Sequence, residues 1–254
     1  LYVNAALIRP SYRPGAYPSA GPLPQVFDIW RAAAPTLDLL APDIYFPNFV
    51  EWARAYDVAG NPLFIPETGR QPAATPANAF YAFGAHDAMG FSPFAIEDLS
   101  EDDPLGEAYA VLRQLAPLIL EHQGKGTIAG VRPVVAFDGT VDETPRDVRL
   151  GEQTLHVSFV DPFTPREQQD VAAHGGLVIQ LGAEEYLIAG SGLTVTFSAD
   201  EGIVGIERIR EGEYVDGIWT PGRVLNGDQS HQGRHLRLSP GEFGIQRVRL
   251  YRYR

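Results

Sequence analysis

Glu67 closes the short apolar run Leu63-Phe64-Ile65-Pro66, and a carboxylate held at the end of a buried strand can act on an electrophilic centre such as a sugar's anomeric carbon. Taken alone, it reads as a surface glutamate opening a loop. Two further runs end in groups that complement it: Ala41-Pro42-Asp43-Ile44-Tyr45 finishes with a phenol, and Gly90-Phe91-Ser92-Pro93-Phe94 with aromatic faces. A carboxylate, a hydroxyl to orient the reacting partner and a ring to stack on C–H edges together suit a sugar. Asn4, ending the first apolar run, is placed either to bond a sugar hydroxyl or to organise its own loop. Plainer roles stay open for each residue: Tyr45 as an amphipathic aromatic at a core edge, Phe91 and Phe94 as core side chains, and His86-Asp87 as the cap of a helix.

Such groups meet only if the fold brings the ends of the runs together. Residues 1–7, 37–45, 63–66 and 89–92 read as strands, and a Pro/Gly-rich loop through residues 11–18 follows the first. Apolar residues at helical spacing predict helices over 24–34, around Phe49, Trp52 and Tyr56, over 76–86, and over 105–123 with Pro117 inside. Four strand–helix units at this spacing point to a parallel α/β fold, in which chemistry gathers at the carboxyl ends of the strands. The acidic run from Glu97 to Asp103 reads as a solvated loop.

After Gly124-Lys125-Gly126 the pattern changes to short runs rich in Val, Ile, Thr and Phe, punctuated by Gly, Asp and Pro. This predicts an antiparallel β-sandwich over residues 128–254, following an α/β part over 1–127. Asn226-Gly227-Asp228 reads as a tight turn rather than a Ca²⁺ site. The chain of 254 residues is 44% hydrophobic and can bury a substantial core. A net charge of -12 repels nucleic-acid phosphates and anionic lipid. There is no cysteine, so thiolate metal sites and disulfides are excluded, and no metal or cofactor is called for. No apolar span is long enough for a transmembrane helix. The chain opens directly on a strand with no initiator methionine, and is expected to continue an upstream segment.

The order of these motifs resembles the carboxyl-terminal part of bacterial family 35 glycoside hydrolases of the β-galactosidase type. The resemblance rests on Leu39-Leu40-Ala41-Pro42-Asp43-Ile44-Tyr45, Pro62-Leu63-Phe64-Ile65-Pro66-Glu67-Thr68 and Gly90-Phe91-Ser92-Pro93-Phe94. In the β part it rests on Gly175-Gly176-Leu177-Val178-Ile179-Gln180-Leu181, Val224-Leu225-Asn226-Gly227-Asp228 and Leu250-Tyr251-Arg252-Tyr253. It implies the second half, strands five to eight, of a (β/α)8 barrel followed by a β-sandwich. It also implies a retaining exo-β-galactosidase acting on a galactoside or oligosaccharide. Glu67 would be the nucleophile, Tyr45 would hydrogen-bond it and hold it ionised, and Phe91 would lie where this clan often has a tryptophan under the sugar.

A retaining glycosidase needs two carboxyl groups about 5–5.5 Å apart. The resemblance places the acid/base glutamate on strand four, which this chain lacks, so the missing first half of the barrel is the expected partner and this segment alone is expected to be inactive. An isolated half barrel would also leave its first and last strands unpaired. The reading from a different class is a non-catalytic carbohydrate-binding or scaffolding unit, with Trp219, Tyr214 and Trp30 as stacking rings. A bacterial periplasmic or extracellular setting is favoured over a cytoplasmic one.

Overall fold

The computed structural model describes residues 1–13, 15–16, 18–69, 74–100 and 102–253. Pro14 and Tyr17 of the expected loop, and Glu101 of the acidic run, lie outside the described residues. Four strands, β1 (Tyr2–Ala6), β2 (Leu39–Ile44), β3 (Ile65–Thr68) and β4 (Phe91–Pro93), form one sheet in that order. All three pairings are parallel. Between and after them run α1 (Phe27–Ala33), α2 (Phe49–Tyr56), α3 (Thr75–Ala85) and α4 (Pro104–His122).

Local chemistry accounts for these elements. In α2, Phe49, Val50, Ala53 and Tyr56 fall on one buried stripe, and Gly60 beyond it takes a positive φ of 75°. Asp103 caps α4 by accepting from the Leu105 N–H at 2.9 Å, and a proline opens the helix where its missing N–H costs nothing. β3 starts two residues later than the apolar run predicts, which puts Glu67 inside the strand. Pro66 has no N–H to donate, and the pairing with β2 runs only through Glu67 and Thr68.

The rest of the chain is antiparallel. It comprises β5 (Ile128–Val131), β6 (Val134–Val135), β7 (Val141–Asp142), β8 (Arg146–Leu150), β9 (Gln153–Ser158), β10 (Gly175–Gly182), β11 (Glu185–Ser191), β12 (Leu193–Ala199), β13 (Ile203–Val215), β14 (Ile218–Val224), β15 (Leu236–Leu238) and β16 (Gly244–Tyr253). Six strands form one sheet in the order β14-β13-β16-β11-β10-β5, four form another as β15-β12-β9-β8, and β6 and β7 make a hairpin. Val178, Tyr186, Ile188 and Val248 of the larger sheet share one buried cluster with Leu155, Val157, Val195 and Leu236 of the smaller.

The molecule is thus mixed α/β with mostly antiparallel sheets. The parallel sheet is open, with β1 and β4 as its edges, and among the described residues it does not close into a barrel. A second core lies around α3, which is buried on nearly every face. Phe80, Ala79 and Ala82 pack in one cluster with Ile65 and Phe91 of the parallel sheet and with Leu177, Ile179, Leu187 and Ala189 of the six-stranded sheet. The apolar core therefore runs across the expected boundary at residue 127. Gly84 of α3 and Gly130 of β5 make this possible: a Cβ on Gly84 would lie 2.8 Å from the Gly130 Cα, and one on Gly130 would lie 2.7 Å from the Tyr81 carbonyl oxygen. No helix among the described residues is long and apolar enough to cross a membrane.

Candidate functional site

Parallel pairing of β1 to β4 sets their carboxyl ends along one edge of the sheet, and the polar groups foreseen there converge. β1 alternates, with Tyr2 and Asn4 exposed while Ala5 is fully buried. Asp43 on β2 and Glu67 on β3 are register partners. Two residues beyond Asp43, the Tyr45 hydroxyl donates to Glu67 Oε1. Asn4 reaches diagonally across from β1, its Nδ2 lying 2.8 and 2.7 Å from the two Asp43 oxygens.

The backbone around these side chains is tied down. The Ile44 carbonyl accepts from the Thr68 hydroxyl at 2.7 Å and from the Gly69 N–H at 2.9 Å, while the Phe94 N–H donates to the Thr68 carbonyl at 2.9 Å. Three strand ends are thereby laced to one another just beyond the carboxylates. The Tyr45 ring lies close over Gly69, where a Cβ would come within 3.3 Å of it. Beneath the site, Asn61 is almost fully buried; its Oδ1 accepts from the Leu40 N–H at 2.9 Å, and its Nδ2 donates to the Leu40 and Tyr56 carbonyls at 3.0 and 2.8 Å.

Asp43 is the electrostatically perturbed member. Burial pushes its carboxyl above the ordinary value of 3.8, the Asn4 amide opposes this, and the charge of Glu67 adds to the rise. The phenol of Tyr56 is pushed well up by burial and, secondarily, by Asp43. Its hydroxyl donates to the Pro22 carbonyl at 2.9 Å.

Of the residues singled out in the sequence, Glu67, Tyr45 and Asn4 come together, but Asn4 engages Asp43, so its amide organises the carboxylates. Phe91 does not join them. It is only 7% exposed, its ring stands edge-on to Phe49 at 6.0 Å, and its carbonyl accepts from the Tyr109 hydroxyl. Phe94 is the ring that remains open, at 59% exposure, 6.4 Å from that of Tyr45. Sequence reasoning passed over Asp43 as a member of the site, although its spacing of two from Tyr45 puts both on one strand face. His86 and Asp87 have structural partners: the His86 Nδ1 lies 2.7 Å from Asp57, and Asp87 accepts from the Gly124 N–H. Asn226 accepts from the Asp228 and Gln229 N–H groups, so the chain does turn at Asn226-Gly227-Asp228, but within residues 225–235, which connect β14 to β15 of different sheets, and not in a tight hairpin. No group of His, Asp and Glu able to hold a metal ion occurs among the described residues.

A family profile described as a domain of unknown function (DUF5597) matches residues 105–237, more than half of the chain. The chain belongs to the DUF5597 family. No curated protein matches it. The DUF5597 match begins within α4 and ends in β15, so Asn4, Asp43, Tyr45 and Glu67 all precede it.

Proposed function

We propose that this chain is the carboxyl-terminal part of a retaining exo-β-galactosidase, with Glu67 as the nucleophile. The observation that carries this reading is the hydrogen bond from Tyr45 to Glu67 at the carboxyl ends of adjacent parallel strands. A phenol donating to a carboxylate stabilises the charged, attacking form and fixes which oxygen faces the substrate. The finer architecture follows the same reading: the four parallel strands are the second half of a (β/α)8 barrel, and the two antiparallel sheets form a sandwich behind it. Asp43, with both oxygens engaged by Asn4, shapes the field around Glu67 and does not donate to the leaving oxygen. The general acid belongs on a strand paired at the open edge of β1, which would bring its carboxyl end beside Asn4. Phe94 is the ring placed to stack on the sugar.

The test uses an enzyme that includes the strands pairing with β1 and β4, treated with 2-deoxy-2-fluoro-β-galactosyl fluoride. Fluoride departs without a proton, so labelling does not depend on the acid. The expected product is a covalent adduct on the peptide containing Glu67, absent in Glu67→Gln, which also loses turnover of an aryl β-galactoside. A label on Asp43, or turnover in Glu67→Gln within tenfold of the parent, removes Glu67 from the role. A panel of aryl glycosides then separates galactoside from glucoside or arabinoside preference.

A further inference from the structure

The outer end of the six-stranded sheet carries an arrangement that the carboxylate site does not use. Across the antiparallel pair β13 and β16, Arg208 faces Arg249 and Arg210 faces Arg247. Ile209 and Val248 between them turn the other way into the core, so the four guanidinium groups share one face. Like charges directly opposite one another destabilise a sheet. Composition does not explain the cluster, because the chain has 32 acidic residues against 20 basic ones. Two of the four are neutralised, Arg247 by Glu185 and Arg249 by Glu207. Among the described residues, neither Arg208 nor Arg210 meets a carboxylate, and the Arg210 Nε is buried without a partner.

These arginines line a pocket of about 260 Å³ with Trp219 of β14 and with Glu185, the single carboxylate in the lining, whose charge is already answered by Arg247. The indole lies across Gly212, where a Cβ would come within 2.5 Å of the ring, and the Arg247 guanidinium sits 5.2 Å from the ring's centre. The rim is braced from behind, with the Tyr214 N–H donating to the Gln114 side chain of α4 at 2.9 Å. The pocket is smaller than the roughly 300–1,000 Å³ of drug-sized sites, and so suits one charged unit rather than an extended chain.

We propose that this pocket is an oxyanion site that takes the carboxylate of an acidic sugar unit, with Arg208 and Arg210 holding the carboxylate and Trp219 flanking the sugar ring. Planar guanidinium forks match a carboxylate in bidentate geometry, and an indole offers the flat apolar surface that a sugar's C–H edges need. A bound carboxylate would also relieve the repulsion between the opposed arginines. The oxyanion assignment stands on the arginine geometry; the choice of a sugar rests on the glycosidase reading above.

The experiment titrates the 254-residue chain with galacturonate, galactose and inorganic sulfate, following tryptophan fluorescence and heat. Galacturonate is expected to bind, galactose to bind at least tenfold more weakly, and Arg208→Gln and Arg210→Gln each to weaken galacturonate at least tenfold. Arg208 is exposed and opposes Arg249, so its replacement relieves repulsion and is expected to leave the melting temperature no lower. Arg210→Lys keeps the charge but not the fork, and is expected to fall between parent and Gln variant. No galacturonate binding, equal binding of galactose, or affinity unchanged in both Gln variants overturns the site; sulfate binding as tightly as galacturonate overturns its assignment to a sugar. The titration reads the arginine pocket without turnover, so failure to label Glu67 covalently and failure of galacturonate to bind give different results.

Discussion

Asp43 is the residue at which burial and charge act against the folded state. Its carboxyl is raised above 3.8 by burial first and by Glu67 in addition, so the folded chain holds the proton more tightly than the unfolded chain does. The stabilising contribution of the protonated form is fully present below pH 3.8 and is lost as pH rises through the raised value. Asp43→Asn is therefore expected to melt above the parent at pH 7, with the difference closing as pH falls towards 3. A constant difference at both pH values would exclude charge as the cause. Asn61 presents the opposite case, because it satisfies three buried backbone groups at once. Leaving a buried group unpaired costs about 1–3 kcal/mol, so Asn61→Ala is expected to lose roughly 3 kcal/mol or more in a urea titration. At this scale, Glu67 and Tyr45 were legible because each ends an apolar run. The burial of Phe91 and the exposure of Phe94 were not, because they depend on which way the strand end turns: the Phe94 N–H bonds back to Thr68, and Ala95 takes a left-handed φ of 53°.

At the scale of elements, α2 and α4 could be read because a buried stripe at helical spacing survives any tertiary context. β5, β8 and β14 could not. β8 reads Arg-Asp-Val-Arg-Leu, and its apolar residues alternate with charges over too short a span. β14 is an exposed edge strand carrying Pro221 and Gly222, residues that signal a turn until a neighbouring strand is known. The seat of α3 on β5 was equally silent, because glycine and alanine carry no hydrophobic signal while they decide how closely two backbones approach. Gly130→Val is accordingly expected to cost at least the roughly 1–3 kcal/mol of an overpacked core, since its Cβ meets backbone on the α3 side rather than a flexible side chain. A calorimetric melt unchanged within 1 °C would show that α3 can shift away without penalty.

For the whole molecule, the decisive feature is an open four-stranded parallel sheet. Among the described residues no further strand pairs with β1 or β4, whose edges meet only the bridge from Ala20 to the Ala6 carbonyl and the Tyr109 hydroxyl on the Phe91 carbonyl, and Leu1, Tyr2, Met89 and Phe94 are each more than half exposed around them. Parallel sheets are ordinarily covered on both faces, and open strand edges recruit other strands. The chain is therefore expected to associate through these edges, giving a light-scattering mass above 27.8 kDa. A monodisperse 27.8 kDa species with a single cooperative melt would show that the sheet is stable uncovered.

The contact between Gly84 and Gly130 also limits how such a molecule can move. Sliding α3 by one turn along β5 would replace glycine with Tyr81 or another side chain against a backbone that has no room for a methyl group. The helix that follows the strand bearing Glu67 is therefore keyed to one register on the sheet that carries the arginine pocket, as a tooth is to its notch.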